Sequence, residues 1–268
     1  MSDKQYYFIS GLPRSGSTLL SSILKQNPKF YADIASPLRG ILENIINHLS
    51  QYEASSSIDN SRRENLLKSI VDGYYNHINK EFIFDSCRGW TGNTSLLKSL
   101  FPHTKIICCV RDVNWILDSF EKQANKNPYY SNTFYDQETH HYVETRCDSL
   151  MDVQKGGQVI KPWFWLKEGL SVNPNMIMLI EYNDLCINPE NVIRKLYKFI
   201  GQPYYEHNFE NVEYSNDSFD LSISSPNLHT VSGKVEFKPR NTILPDSVTE
   251  KYKEMEFWRK PKTNFNYE

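Results

Sequence analysis

Apolar residues in this chain fall into two patterns: short dense runs, and longer segments where they recur every three or four positions. The dense runs are residues 6–10 (YYFIS), 82–84 (FIF), 105–110 (KIICCV) and 176–180 (MIMLI). Such runs suit parallel strands covered on both faces. Between them lie helical spacings. Leu19, Leu20, Ile23 and Leu24 follow the first run, and Asn27-Pro28 ends them. Within residues 37–80, one stripe is Ile41, Ile45, Ile46 and Leu49, and a second is Leu66, Leu67, Ile70 and Val71. Residues 94–100, 113 to about 122, and 189–200 (stopped by Gly201) read as further helices. Alternating strands and helices predict an α/β fold with a central parallel sheet flanked by helices in three layers. Residues 123–160 are polar and irregular, and read as a lid or acceptor-binding insertion in one domain spanning residues 1–268. The tail carries little signal until about 246–257.

Composition narrows the function by exclusion. A net charge of −2 on 268 residues leaves no basic excess to attract nucleic acid, so any anion site must be built locally. No run approaches the roughly 20 apolar residues of a membrane span. The opening MSDKQYYFIS is too short and polar for a secretory signal. Five cysteines with no C-x-x-C pair suggest neither zinc nor a disulfide framework. The expectation is a cytoplasmic protein without a transmembrane segment.

The first run leads into GLPRSGST, residues 11–18. Its frame is that of a phosphate-cradling loop, which in nucleoside triphosphatases reads G-x-x-x-x-G-K-[ST]. The fold class is accordingly P-loop NTPase-like. A glycine turn opening a helix aims main-chain N–H groups at one point, and the helix dipole adds positive potential there. Ser15, Gly16, Ser17 and Thr18 are the binding candidates. The lysine position is Ser17, too short to reach β- and γ-phosphates. Arg14 is the cation instead, and a guanidinium grips an anion bidentately. The loop suits a short anion better than a metal-bound triphosphate.

GLPRSGSTLL resembles the 5′-phosphosulfate loop of sulfotransferases that use 3′-phosphoadenosine 5′-phosphosulfate (PAPS). The likeness is to the bacterial and protein-tyrosine members, with their P-R-S-G-[ST]-T. KIICCVRDVNWILDSF resembles the family's 3′-phosphate segment, which makes Arg111 and Ser119 the ligands of that phosphate. MIMLIEYNDL resembles the strand whose tyrosine, here Tyr182, approaches the adenine end. The run LHTVSGKV resembles the late segment that closes over the nucleotide, with Ser232, Gly233 and Lys234 as candidates and Lys238 and Arg240 as alternatives. FDSCRGW resembles the bacterial D-K-[ST]-R-G-W, but the lysine position is Ser86, so Arg88 is the candidate to replace it.

The resemblance implies sulfuryl transfer from PAPS to a hydroxyl or amine, leaving adenosine 3′,5′-bisphosphate (PAP), with no metal. Arg14 and Arg88 would stabilise the transferring group. A hydroxyl acceptor needs a base. At the position of the protein-tyrosine family's glutamate stands Ala35, and the nearest carboxylate is Asp33, the expected base. His140, His141, His229 and Glu43 are further candidates. The acceptor is a small molecule, glycan, lipid or peptide, with Trp163 and Trp165 as candidate lining. The alternatives are a P-loop kinase-like phosphotransferase and a non-catalytic nucleotide-binding module of the same fold.

Overall fold

The structure is a computed structural model that describes residues 4–51, 53–126, 141–222 and 228–260. Five strands form a wholly parallel sheet in the order β2-β3-β1-β4-β5. They are β1 (Gln5–Gly11), β2 (Phe30–Ala32), β3 (Phe82–Ser86), β4 (Ile106–Val110) and β5 (Ile177–Glu181). The four dense apolar runs are four of these strands. The fifth, β2, is only three residues and gives no periodic signal. It exists through pairing, Phe30 beside Phe82, and through the Phe30 ring packed 5.0 Å from that of Phe84.

Alternation along each strand feeds two cores. Tyr6, Phe8, Ile106, Cys108 and Val110 face one side. There they meet α2 (Leu38–Gln51), α3 (Asn60–Tyr74), α4 (Thr94–Leu100) and α7 (Ile160–Val172). Tyr7, Ile9, Ile107 and Cys109 face the other, against α1 (Ser17–Leu24), α8 (Tyr182–Ile187) and α9 (Pro189–Ile200). This period of two gives three layers, helices, sheet, helices.

The stretch expected to be irregular is partly ordered. α5 runs Val113–Lys126, and α6 runs Val143–Leu150. Val143, Cys147 and Leu150 follow the i, i+4, i+7 rule and bury against α5 and α11 (Asp246–Lys251) in a third apolar cluster. Three apolar positions among polar neighbours are easily passed over in sequence. Residues 127–140 of that expected insertion lie outside the described residues. Between α9 and α11 lies the short α10 (Asp217–Ser222).

All five cysteines are free thiols, and Cys108 and Cys109 are fully buried. Among the described residues, no helix is long and apolar enough to cross a membrane. Nor does any group of three or more His, Cys, Asp or Glu among them gather as a metal site would.

Candidate active site

The carboxyl ends of the strands open on one cavity of about 630 Å³, where an α/β sheet places its ligand. β1 enters the loop at Gly11, φ +127, where a Cβ would stand 2.0 Å from the Cys109 carbonyl oxygen. No other residue fits so close to β4. Gly16, φ +94, precedes α1, and a Cβ there would meet the Tyr182 ring at 2.8 Å. Ser17 and Thr18 line the cavity. Ser15 does not: its buried hydroxyl lies 2.5 Å from the Leu12 carbonyl oxygen and 2.8 Å from that of Cys109. Its side chain braces the loop, leaving only its main-chain N–H for a ligand.

Three arginines converge here. Arg14 adopts φ +56, a conformation that costs a non-glycine residue about 1–3 kcal/mol. Its Nε donates to Ser119 Oγ at 3.1 Å and an Nη to the Leu228 carbonyl at 3.0 Å. Arg111 donates to the Arg14 carbonyl at 3.3 Å, and its guanidinium lies 4.1 Å from the Tyr182 ring centroid. The Arg111 Nε is buried without a partner. Arg88 follows β3. Its carbonyl accepts from Ser10 Oγ at 2.8 Å, and its Nη1 reaches Gln158 at 3.3 Å. Among the described residues none of the three forms an ion pair. Burial first, then repulsion from Arg88 and Arg111, pulls the Arg14 pKa down to about 10. Burial lowers Arg88 and Arg111 too. Desolvated, mutually repelling cations are unfavourable unless an anion joins them.

A strap of two antiparallel legs, residues 209–214 and 231–235, brings its second leg to the same cavity as the loop. Val212 N–H donates to Gly233 O (2.8 Å), Tyr214 N–H to Val231 O (2.9 Å), and Val235 N–H to Phe209 O (2.8 Å). The returning leg brings His229, Ser232 and Lys234 to the cavity wall. His229 Nδ1 lies 2.6 Å from Oδ1 of the fully buried Asp220, whose Oδ2 accepts the His229 main-chain N–H at 2.9 Å. A carboxylate partner puts the proton on Nδ1 and leaves the Nε2 lone pair free. Burial lowers the His229 pKa; Asp220 raises it, and Arg14 and Arg88 lower it further, for a net downward shift.

Other expected residues stand differently. Lys234 is ion-paired with Glu210 at 2.9 Å in the open, and Lys238 with Glu236 at 2.9 Å. Arg240 is paired at 2.9 Å with buried Asp118. Asp33 is not on the cavity wall, although Ile34, Ala35 and Ser36 are. Its carboxylate accepts from Tyr214 at 2.5 Å, Tyr31 at 3.4 Å and the Ile34 N–H at 2.8 Å. That placement sits poorly with the base role expected for it. Glu43 pairs with Arg39 at 2.6 Å. His141 is exposed, and His140 lies outside the described residues. Of the two tryptophans, Trp165 lines the cavity with the Arg39 guanidinium 4.4 Å from its ring, whereas Trp163 donates to the Met255 carbonyl and packs on Phe257. Nothing local in the sequence marks Asp220 as the partner of His229.

A profile of the sulfotransferase family matches residues 7–206. No curated protein sequence matches the chain. Among solved structures, the sulfotransferase domain from the curacin biosynthetic pathway is similar at TM-score 0.52 and 18% identity, covering 97% of this chain and 94% of that one. The sulfotransferase domain from the Synechococcus PCC 7002 olefin synthase gives 0.51 and 20%, covering 95% and 89%. A sulfotransferase from Alicyclobacillus acidocaldarius gives 0.53 and 14%, covering 84% and 92%.

Proposed function

The chain belongs to the sulfotransferase family, and from that premise we propose that it transfers a sulfuryl group from PAPS to an acceptor hydroxyl or amine and releases PAP. The observation that carries this reading is the cluster of Arg14, Arg88 and Arg111 around the phosphate loop, without an ion-pair partner among the described residues. The loop amides, Ser17, Thr18 and Arg14 receive the phosphosulfate. Arg111 offers its unpartnered Nε to the 3′-phosphate, beside Ser119, and the Tyr182 ring flanks the nucleoside. The nucleotide thereby extends toward β4 and β5. The acceptor enters over β2 and β3, past Arg88 and Trp165.

In the transfer, the bond between sulfur and the bridging 5′-phosphate oxygen breaks as the acceptor oxygen bonds to sulfur. Arg14 and Arg88 neutralise the charge that develops on the sulfuryl oxygens and the leaving phosphate, the usual office of preorganised donors. For a hydroxyl acceptor the proton passes to Nε2 of His229. Its lowered pKa keeps it neutral and receptive at pH 7, and Asp220 stabilises the imidazolium that forms. This assigns the base to His229 in place of Asp33. Three guanidinium groups supply the positive charge, so we write the reaction without a metal. A small molecule, glycan, lipid or peptide fits the acceptor role. The free buried thiols support a reducing, cytoplasmic setting.

Calorimetric titration with PAP, ADP and ATP tests the donor. PAP should bind tightly with EDTA present, and ADP and ATP weakly. Preference for ATP with Mg²⁺ would replace this reading with a kinase-like one. PAP binding without sulfuryl transfer to any acceptor would indicate a binding module.

A further inference from the structure

Resting on the PAPS reading, with Ser232 of the strap on the cavity wall as one of the donor's ligands, we infer that Asp33 and Tyr214 form a latch that fixes the strap at the phosphate-loop cavity. Asp33 is thus a positioning residue. Tyr214 sits at the end of the ladder where the chain arrives from Leu228, His229 and Thr230 on the cavity wall. It exchanges two main-chain hydrogen bonds with Val231, at 2.9 and 2.8 Å. Its phenol donates to Asp33 at 2.5 Å. Asp33 is tied in turn to the loop's own helix, since its carbonyl accepts from Ser21 Oγ of α1 at 3.2 Å. The connection therefore runs from the phosphate loop through α1 and Asp33 to Tyr214 and Val231. Thr230, Ser232 and His229, all on the cavity wall, flank Val231.

The far end of the ladder needs no such device. Val212 and Val235 are buried in the core beneath the sheet. Tyr214 is only half-buried, and Val231 packs at the edge of that core. The near end therefore leans on the phenol–carboxylate bond. Burial raises both Tyr214 and Tyr31, the latter to about 12, so both phenols remain donors at physiological pH. The Lys25 ammonium, 5.4 Å from the Tyr214 ring centroid, adds a further contact from α1's end. When a binding-competent arrangement is only partly populated, apparent affinity falls by that fraction. Loss of the latch should lower the fraction of molecules with the strap in place.

The test uses the full chain with Tyr214→Phe, Asp33→Ala, their combination, and Asp33→Asn, which keeps an acceptor oxygen but has no basicity. Hydrogen exchange on the ligand-free protein should show the Val231 amide exchanging about tenfold faster in Tyr214→Phe and Asp33→Ala, with Val212 and Val235 unchanged. PAP affinity should fall about tenfold in each. The double variant should be no worse than either single one, because both remove one interaction. Asp33→Asn should recover most of the PAP affinity and Val231 protection. Unchanged Val231 exchange in Tyr214→Phe would overturn the latch. So would Asp33→Asn that binds PAP normally yet loses turnover, since that is the behaviour of a base. If the wild-type chain itself fails to bind PAP, the donor reading falls, and the exchange measurement still decides the latch.

Discussion

The cations of the cleft and the cations of its rim have the same sign and opposite surroundings. Arg14, Arg88 and Arg111 stand inside the cavity without ion-pair partners among the described residues, and burial depresses the pKa of each. Lys234, Lys238 and Arg240, on the returning leg or just beyond it, are each paired with a carboxylate at 2.9 Å. A cation already paired in water has little to gain from a further anion. A desolvated cation without a partner has much to gain. The two sets therefore differ in state: the inner arginines line the cavity without a counter-ion among the described residues, and the rim charges are already neutralised.

The comparison breaks first at Arg14. Arg14→Ala should lower kcat with PAPS by about a thousandfold, as loss of a transition-state donor does, while keeping part of the PAP affinity. Unchanged turnover would remove Arg14 from the chemistry. Next is the His229 pair. His229→Asn should cost about a hundredfold in kcat, the low end for a general base. The acid limb of kcat/KM in the wild type should lie below pH 6.5, the ordinary histidine value, because the net shift is downward. Asp220→Asn removes the upward pull, so the limb should move to still lower pH as the rate drops. A limb above pH 6.5 would contradict this assignment.

Smaller effects concern binding alone. Arg111→Ala should weaken PAP by about tenfold to a hundredfold, the range for hydrogen bonds to a charged group, and leave adenosine 5′-monophosphate nearly unchanged. Equal weakening of both nucleotides would put the 3′-phosphate elsewhere. Lys234→Ala should change PAP affinity by no more than about threefold, because an exposed ion pair contributes little. A loss as large as that of Arg111→Ala would show that Lys234 leaves Glu210 for the ligand, and the contrast between cleft and rim would fail.

The resemblance drawn from the loop and the strand-end arginine led to the family that the chain's profile match bears out. Asp33 was singled out by its place in the chain, and it stands among tyrosines off the cavity wall. In sequence His229 is one histidine among several; Asp220 beside it in the fold sets it apart. The resemblance makes Lys234 a candidate phosphate ligand, and the fold pairs it with Glu210, which no local signal announces.

What the sequence by itself determined is local. Dense apolar runs and three-to-four spacing mark four of five strands and most helices, since burial is written in neighbouring residues. The phosphate loop was legible for the same reason: its glycines, hydroxyls and arginine act within eight consecutive positions. Tertiary structure decided the rest. It set Arg14 against a carbonyl 214 residues away and Asp33 against a phenol 181 residues away. It also chose which cations are already neutralised. Such pairings depend on where the sheet and strap bring distant segments, and no local periodicity encodes them. A charge reads the same in sequence with or without a counter-ion, and only the folded chain shows which charges are left for a ligand.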